Sequence, residues 1–198
     1  MPEFVIQTAS NMFEMRSGGG ADTNYSNQTL MRIGNNAGIL SRGIGRFDFS
    51  TLPVGIISKA VLSLYCVALA AYPNSPLGHG IGVYRVVPTT VSLSQFTWNI
   101  YKTANTWWIA GASHSGSDYV ITNYASGLIP DVGNWLNIDV LAQIQYAQAN
   151  TGKIALFKVN TEEDYNHYAD WYSSVYATDT TKRPKLTITY FTPQIMIF

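Results

Sequence analysis

Charge is what this chain of 198 residues has least of. Asp, Glu, Lys and Arg make up 12% of it, and twelve cations balance twelve carboxylates to a formal net charge of zero. No net field draws it toward a polyanion, so neither nucleic acid nor an anionic membrane is an expected partner. Long apolar runs are missing as well: none approaches the roughly 18 residues of a spanning helix. The lone cysteine, Cys66, excludes an internal disulfide framework, and its place in an alternating segment predicts a buried, inert thiol. The start, MPEFVIQTAS, lacks a basic region, apolar stretch and small-residue cleavage site in succession, so no secretory signal is expected. Asn27-Gln28-Thr29 is a glycosylation sequon that matters only in a eukaryotic secretory pathway. The sequence holds no Gly-x-Ser-x-Gly elbow, phosphate-cradling loop or dinucleotide fingerprint, which leaves acyl-transfer and nucleotide chemistry without support.

What the chain does have is aromatic residues, 13% Tyr, Phe and Trp, and apolar-polar alternation, the period of a half-buried strand. Leu186, Ile188 and Tyr190 alternate with Lys185, Thr187 and Thr189; Leu62, Leu64 and Cys66 alternate with Val61, Ser63 and Tyr65; Leu136, Ile138 and Val140 open a further segment. Ile154 to Val159 reads as a more fully buried strand. Turn signals punctuate these runs: SGGGAD at 17–22, GNNAG at 34–38, LPVG at 52–55 and YPNSPLGHG at 72–80. The pattern predicts an all-β chain, a jelly-roll β-sandwich, in one domain over 1–190. One short helix is expected near 139–150, capped by Asp139, with Val140, Leu141 and Ile144 on one face and Gly152 as terminator.

In order, ADTNYSNQTLMRIGN (21–35), RFDFSTLPVGIISKAVLSLY (46–65), VYRVV (83–87), FTWN (96–99), NWLNIDVLAQIQ (134–145) and RPKLTITY (183–190) resemble the DNRLRE-domain family. That family is similar to the carbohydrate-binding jelly rolls of polysaccharide lyases and also occurs in phage structural proteins. The resemblance implies a jelly-roll sandwich with a binding or structural role. The chain departs from the family at Tyr172-Ser173-Ser174-Val175-Tyr176, where the usual acid after the serine is missing, and in a longer, aromatic-rich loop over 100–133.

Few residues read as chemistry. Arg46 and Asp48 lie two apart on a strand and share a face, which predicts a structural charge pair; a catalytic carboxylate would need a second acid or base nearby. Asp22 and Asn24 follow three glycines, where oxygen ligands could hold a structural Ca²⁺ or bond their own turn. The cluster Glu162-Glu163-Asp164, His167 and Asp170 lacks paired histidines at metal spacing and reads as a solvated loop. Trp98 and Trp135 read as core, whereas adjacent Trp107 and Trp108 cannot both face one core if extended. Trp107, Trp108, Tyr101 and Trp171 are therefore the candidate contacts for a glycan or a protein partner. The tail FTPQIMIF ends in Ile195, Met196, Ile197 and Phe198, an apolar plug suited to docking on a neighbouring subunit. No cofactor is expected beyond that calcium ion. Together these features lead us to expect a non-enzymatic structural or adhesive protein of a virion surface, in contact with other virion proteins or copies of itself. A carbohydrate-binding module is the alternative and a polysaccharide-degrading enzyme the third reading.

Overall fold

The computed structural model describes residues 1–8, 11–70, 75–164 and 166–192. The alternating segments become β1 (Glu3–Ile6), β2 (Met12–Arg16), β3 (Leu30–Asn36), β4 (Ile39–Asp48), β5 (Ile56–Leu69) and β6 (Gly80–Val86). A small hairpin, β7 (Ile100–Lys102) and β8 (Asn105–Thr106), follows, then β9 (Tyr119–Leu128) and β10 (Trp135–Asp139). After α1 (Leu141–Asn150) come β11 (Ile154–Thr161), β12 (Tyr168–Tyr172) and β13 (Lys185–Phe191). One layer runs β1-β13-β5-β10, the other β5-β12-β3-β4-β11-β6-β9 with β2 beside β4. The 14-residue β5 belongs to both, pairing β10 and β13 along its first part and β12 near its end. This is the all-β, jelly-roll-like sandwich with one short helix that the alternation predicts.

Leu62, Leu64 and Cys66 of β5, Leu136 and Ile138 of β10, and Leu186 and Ile188 of β13 all turn inward. They meet Met31, Ile33, Phe47, Val83, Phe157 and Trp171 from the opposite layer. Burial pushes the Cys66 thiol up to about 11, which keeps it protonated and unreactive near neutral pH. The helix starts two residues after Asp139, whose Oδ1 accepts from the Leu141 N–H at 2.9 Å, while Val140 occupies the cap position. Val140 and Ile144 are fully buried.

A second core lies on the other face of the β4-β11-β6 layer. Val91, Phe96, Trp98, Trp107 and Ala112, from the segment between β6 and β9, pack onto Phe13, Met15, Ile44, Val86 and Leu156. Strands β4 and β11 are therefore covered on both faces, which is why β11 reads as a nearly continuous apolar run. The long aromatic-rich segment is a third layer of the protein. Gly111 sits at φ +77°, and a Cβ there would approach the Trp98 ring to 2.5 Å, so glycine lets the segment turn flat against that indole.

Three aromatic assignments change, and one of them is Trp107, expected as a glycan or partner contact but buried at 3% exposure in the second core. Trp171, expected as a glycan or partner contact, is fully buried in the main core because Ala169 and Trp171 are the inward positions of β12. Trp135, expected in the core, points outward, since Leu136 and Ile138 take the inward positions of β10. Its ring meets Tyr65 edge-on at 5.3 Å with Lys185 above it. Trp171→Ala should cost about 3–5 kcal/mol, and Trp108→Ala, at a 73% exposed position, no more than about 0.5 kcal/mol. Urea denaturation checks both.

Candidate functional site

The third layer is fastened to the sheet by charges placed where their burial is compensated. Arg42, on the outer face of β4, is buried and donates Nε and Nη2 to the two carboxylate oxygens of Glu163 at 2.5 Å each. Its Nη1 donates to the Gly111 carbonyl and, at 2.7 Å, to Ser113 Oγ, with the Trp98 ring 4.8 Å away. Asp118, 1% exposed, accepts from the Trp108 N–H at one oxygen and from the Ile109 and His114 N–H groups at the other, at 2.7, 3.0 and 3.0 Å. Lys158 of β11 donates Nζ to the Ala112 carbonyl at 3.1 Å and lies 3.6 Å over the Tyr119 ring.

This anchoring sorts the adjacent tryptophans. Trp107 turns inward, its Nε1 donating to the Thr97 carbonyl at 3.1 Å, with half-buried Tyr101 packed on it at 5.4 Å. Trp108 stands 73% exposed on a backbone that Asp118 holds in place.

Beyond the edge of the third layer the sheet face is open. A groove of about 760 Å³ has Gly80, Gly82, Asn160, Ser126 and Leu128 among its lining residues. Tyr84 and Tyr124 also line it, as do Glu162, Glu163 and Asp164. A Cβ at Gly82 would come within 2.6 Å of the Tyr84 ring, so this glycine lets the ring lie back against the strand. Tyr124 stacks on Tyr84 with ring centroids 5.2 Å apart and planes at 9°. It reaches that position because β9 bulges: Val83 pairs Ala125 and Arg85 pairs Val120, leaving 121–124 outside the ladder. Asn123, at φ +58°, carries the bend, and its carbonyl accepts from Gln143 Nε2 of α1 at 2.8 Å. Tyr119 meets Tyr84 edge-on at 5.2 Å. Burial raises the Tyr84 hydroxyl above its ordinary value, so it stays a neutral donor and acceptor.

Sequence reasoning missed this site. Of the cluster expected to be a solvated loop, Glu162 and Asp164 are exposed loop residues, whereas Glu163 pairs with Arg42, Asp170 binds Arg32 through both oxygens at 2.9 and 3.1 Å, and His167 is buried with the His79 ring 4.5 Å away. Burial, then His79, lowers the His167 pKa. Arg46 and Asp48 do pair, at 3.5 Å, on the outer face of β4. Asp48 lies below the usual carboxylate range chiefly because the Ser50 N–H binds it, with Arg46 assisting. Asn24 is spent on loop contacts: Nδ2 donates to the Phe96 and Leu93 carbonyls, and Oδ1 accepts from Ser26. Asp22 accepts from Asn99 Nδ2 at 2.6 Å. These two residues thus tie the 17–29 loop to the third layer, and among the described residues no three His, Cys, Asp or Glu side chains group to hold a metal ion. Ile195, Met196, Ile197 and Phe198 lie outside the described residues.

Lys158 gives the anchoring a pH signature. Burial, then the nearby Arg42, lowers its ammonium to about 7 from 10.5. Below pH 7 the amine is charged in both folded and unfolded chains, and the fold carries the full cost. Above it the unfolded chain keeps a proton that the folded chain has lost, so stability rises with pH. Between pH 7 and 8.5 urea midpoints should climb, the slope approaching about 1.4 kcal/mol per pH unit, and Lys158→Met should flatten the climb. The window stops there because the raised Cys66 thiol acts with the opposite sign above pH 9.

Compared with known proteins, the chain matches no family model and no curated protein.

Proposed function

We propose that the protein is a non-catalytic glycan-binding module that engages a neutral polysaccharide along the open face of β6, β9 and β11. The observation that carries this reading is the stacked Tyr84-Tyr124 pair beside a polar groove of about 760 Å³. Sugar rings have apolar C–H faces that pack on aromatic rings and a rim of hydroxyls that needs donors and acceptors. Tyr124, 52% exposed and backed by the stacked Tyr84 ring, supplies the first, and Asn160, Ser126, Thr161 and the acidic lip the second. The carboxylates at 162–164 favour hydroxyl-rich neutral glycans over anionic ones, which they would repel. Binding without hydrolysis fits the commitments of two of them: both Glu163 oxygens are held by Arg42, and Glu162 meets His79 Nδ1 at 3.2 Å, so that of the three only Asp164 has no bonded partner among the described residues. A general acid and its partner carboxylate have to be available to substrate. The resemblance to the DNRLRE family implies a binding or structural role and is compatible with this reading.

Affinity electrophoresis through gels cast with neutral and anionic polysaccharides tests the proposal. Retardation is expected in at least one neutral gel, in the micromolar to millimolar range. Tyr124→Ala should weaken it at least tenfold, about 1.4 kcal/mol, with an unchanged thermal midpoint. Retardation only by anionic polymers, or equal retardation of Tyr124→Ala, would refute it.

A second reading, an adhesive or decorating component of a virion surface packed against copies of itself, draws on β9. That strand ends the sheet order and exposes Ile121 and Leu128 at 55% and 67%, an edge that soluble proteins usually cover or charge. Fixed stoichiometry in purified particles would support it, and a monomer absent from particles would count against it.

A further inference from the structure

On β6 the residues facing into the sandwich are Ile81, Val83 and then Arg85. Arg85, half-buried, lies beside Gln143 and Tyr146 of α1. Its guanidinium lies 3.8 Å over the Tyr146 ring, and among the described residues it forms no ion pair and donates no side-chain hydrogen bond. Two cavities, of about 250 and about 140 Å³, share Arg85, Val120, Gln143 and Tyr146 in their walls. The larger is otherwise mostly apolar, with Val86, Ala147, Ile154 and Leu156 among its lining residues. A half-buried guanidinium loses part of its hydration, which a cation–π contact replaces only in part. Its planar fork matches a carboxylate through two charge-assisted hydrogen bonds.

We propose that this cavity is a second binding site, separate from the glycan groove, for a small carboxylate with an apolar body. The carboxylate bridges the Arg85 fork at the mouth while the apolar part fills the space between β6, β11 and α1. The cavity is below the usual range for drug-sized ligands, which limits the occupant to about the size of a phenyl-substituted acetate.

Titration calorimetry with phenylacetate and its neutral counterpart, phenylacetamide, tests the site on the unmodified chain. Saturable binding of the acid is expected, with the amide at least tenfold weaker and acetate weaker than phenylacetate because it leaves the apolar walls unfilled. Arg85→Gln should erase the preference for acid over amide, Arg85→Lys should keep part of it, and Tyr124→Ala should leave it unchanged. Equal affinity for acid and amide, no saturable binding of the acid, or unaltered discrimination in a folded Arg85→Gln variant would each overturn the proposal. Acid-over-amide selectivity in the unmodified chain needs no mutant to fold, and its failure leaves the glycan groove untouched.

Discussion

Replacing Asp118 with alanine is expected to cost about 2–4 kcal/mol of stability, since each amide deprived of its acceptor away from water costs roughly 1–3 kcal/mol and water recovers part of the loss. The carboxylate is almost fully buried and accepts from the N–H groups of Trp108, Ile109 and His114. It thereby fixes three backbone positions that no regular ladder holds. Asparagine has nearly the same shape, but one carboxylate oxygen becomes an NH₂ that faces N–H donors, so Asp118→Asn should recover only part of the loss. Amide hydrogen exchange should speed up at 107–118 in both variants while the strands of the main core stay protected. A loss below about 0.5 kcal/mol, within the range of an ordinary surface change, would mean that the third layer does not depend on this carboxylate.

Arg42→Met should cost about 3–5 kcal/mol, the penalty for breaking a buried pair by removing one partner. Methionine fills the volume over Trp98 but leaves Glu163 facing a buried position without its cation, and Gly111 and Ser113 without a donor. Removing the charge on both sides, in Arg42→Met with Glu163→Gln, should be milder than the two single changes added together. A double-mutant cycle should give a coupling of about 1–3 kcal/mol. Because Arg42 is the second cause holding the Lys158 ammonium down, the pH climb of stability between 7 and 8.5 should also become shallower in Arg42→Met. Additive single changes and an unaltered pH profile would show that Arg42, Glu163 and Lys158 do not act as one anchor.

The sandwich was legible in the sequence because its strands alternate. Leu62, Leu64 and Cys66, or Leu186 and Ile188, announce an inner face through their spacing alone, and Asp139 announces the start of α1. Residues whose burial comes from a third layer give no such periodic signal. Arg42 and Lys158 look like surface charges on a strand until the segment after β6 folds over them, and Asp118 sits in an unpatterned Ser/Gly-rich stretch. Glu163 was hidden for the same reason, since its cation lies 121 residues away on β4, while Glu162 and Asp164 beside it are exposed as a solvated loop requires. Trp135 and Trp171 exchanged their expected places by a phase of one residue, since on a strand that phase decides between core and solvent. The Tyr84-Tyr124 pair was hidden by the bulge at 121–124, which breaks the alternation of β9 at the point where it builds the groove. Its one local sign is Gly82, two residues before the tyrosine whose ring it accommodates.

Glycan bound on the open face of β6, β9 and β11 leaves a hydrogen-exchange footprint, read with and without a saturating neutral polysaccharide that retards the protein. Slowed exchange should concentrate in peptides covering 80–86, 119–128 and 160–164. Protection confined instead to 59–65, 135–137 and 185–189, the outer face of the opposite layer where Trp135 and Tyr65 stand, would contradict the account.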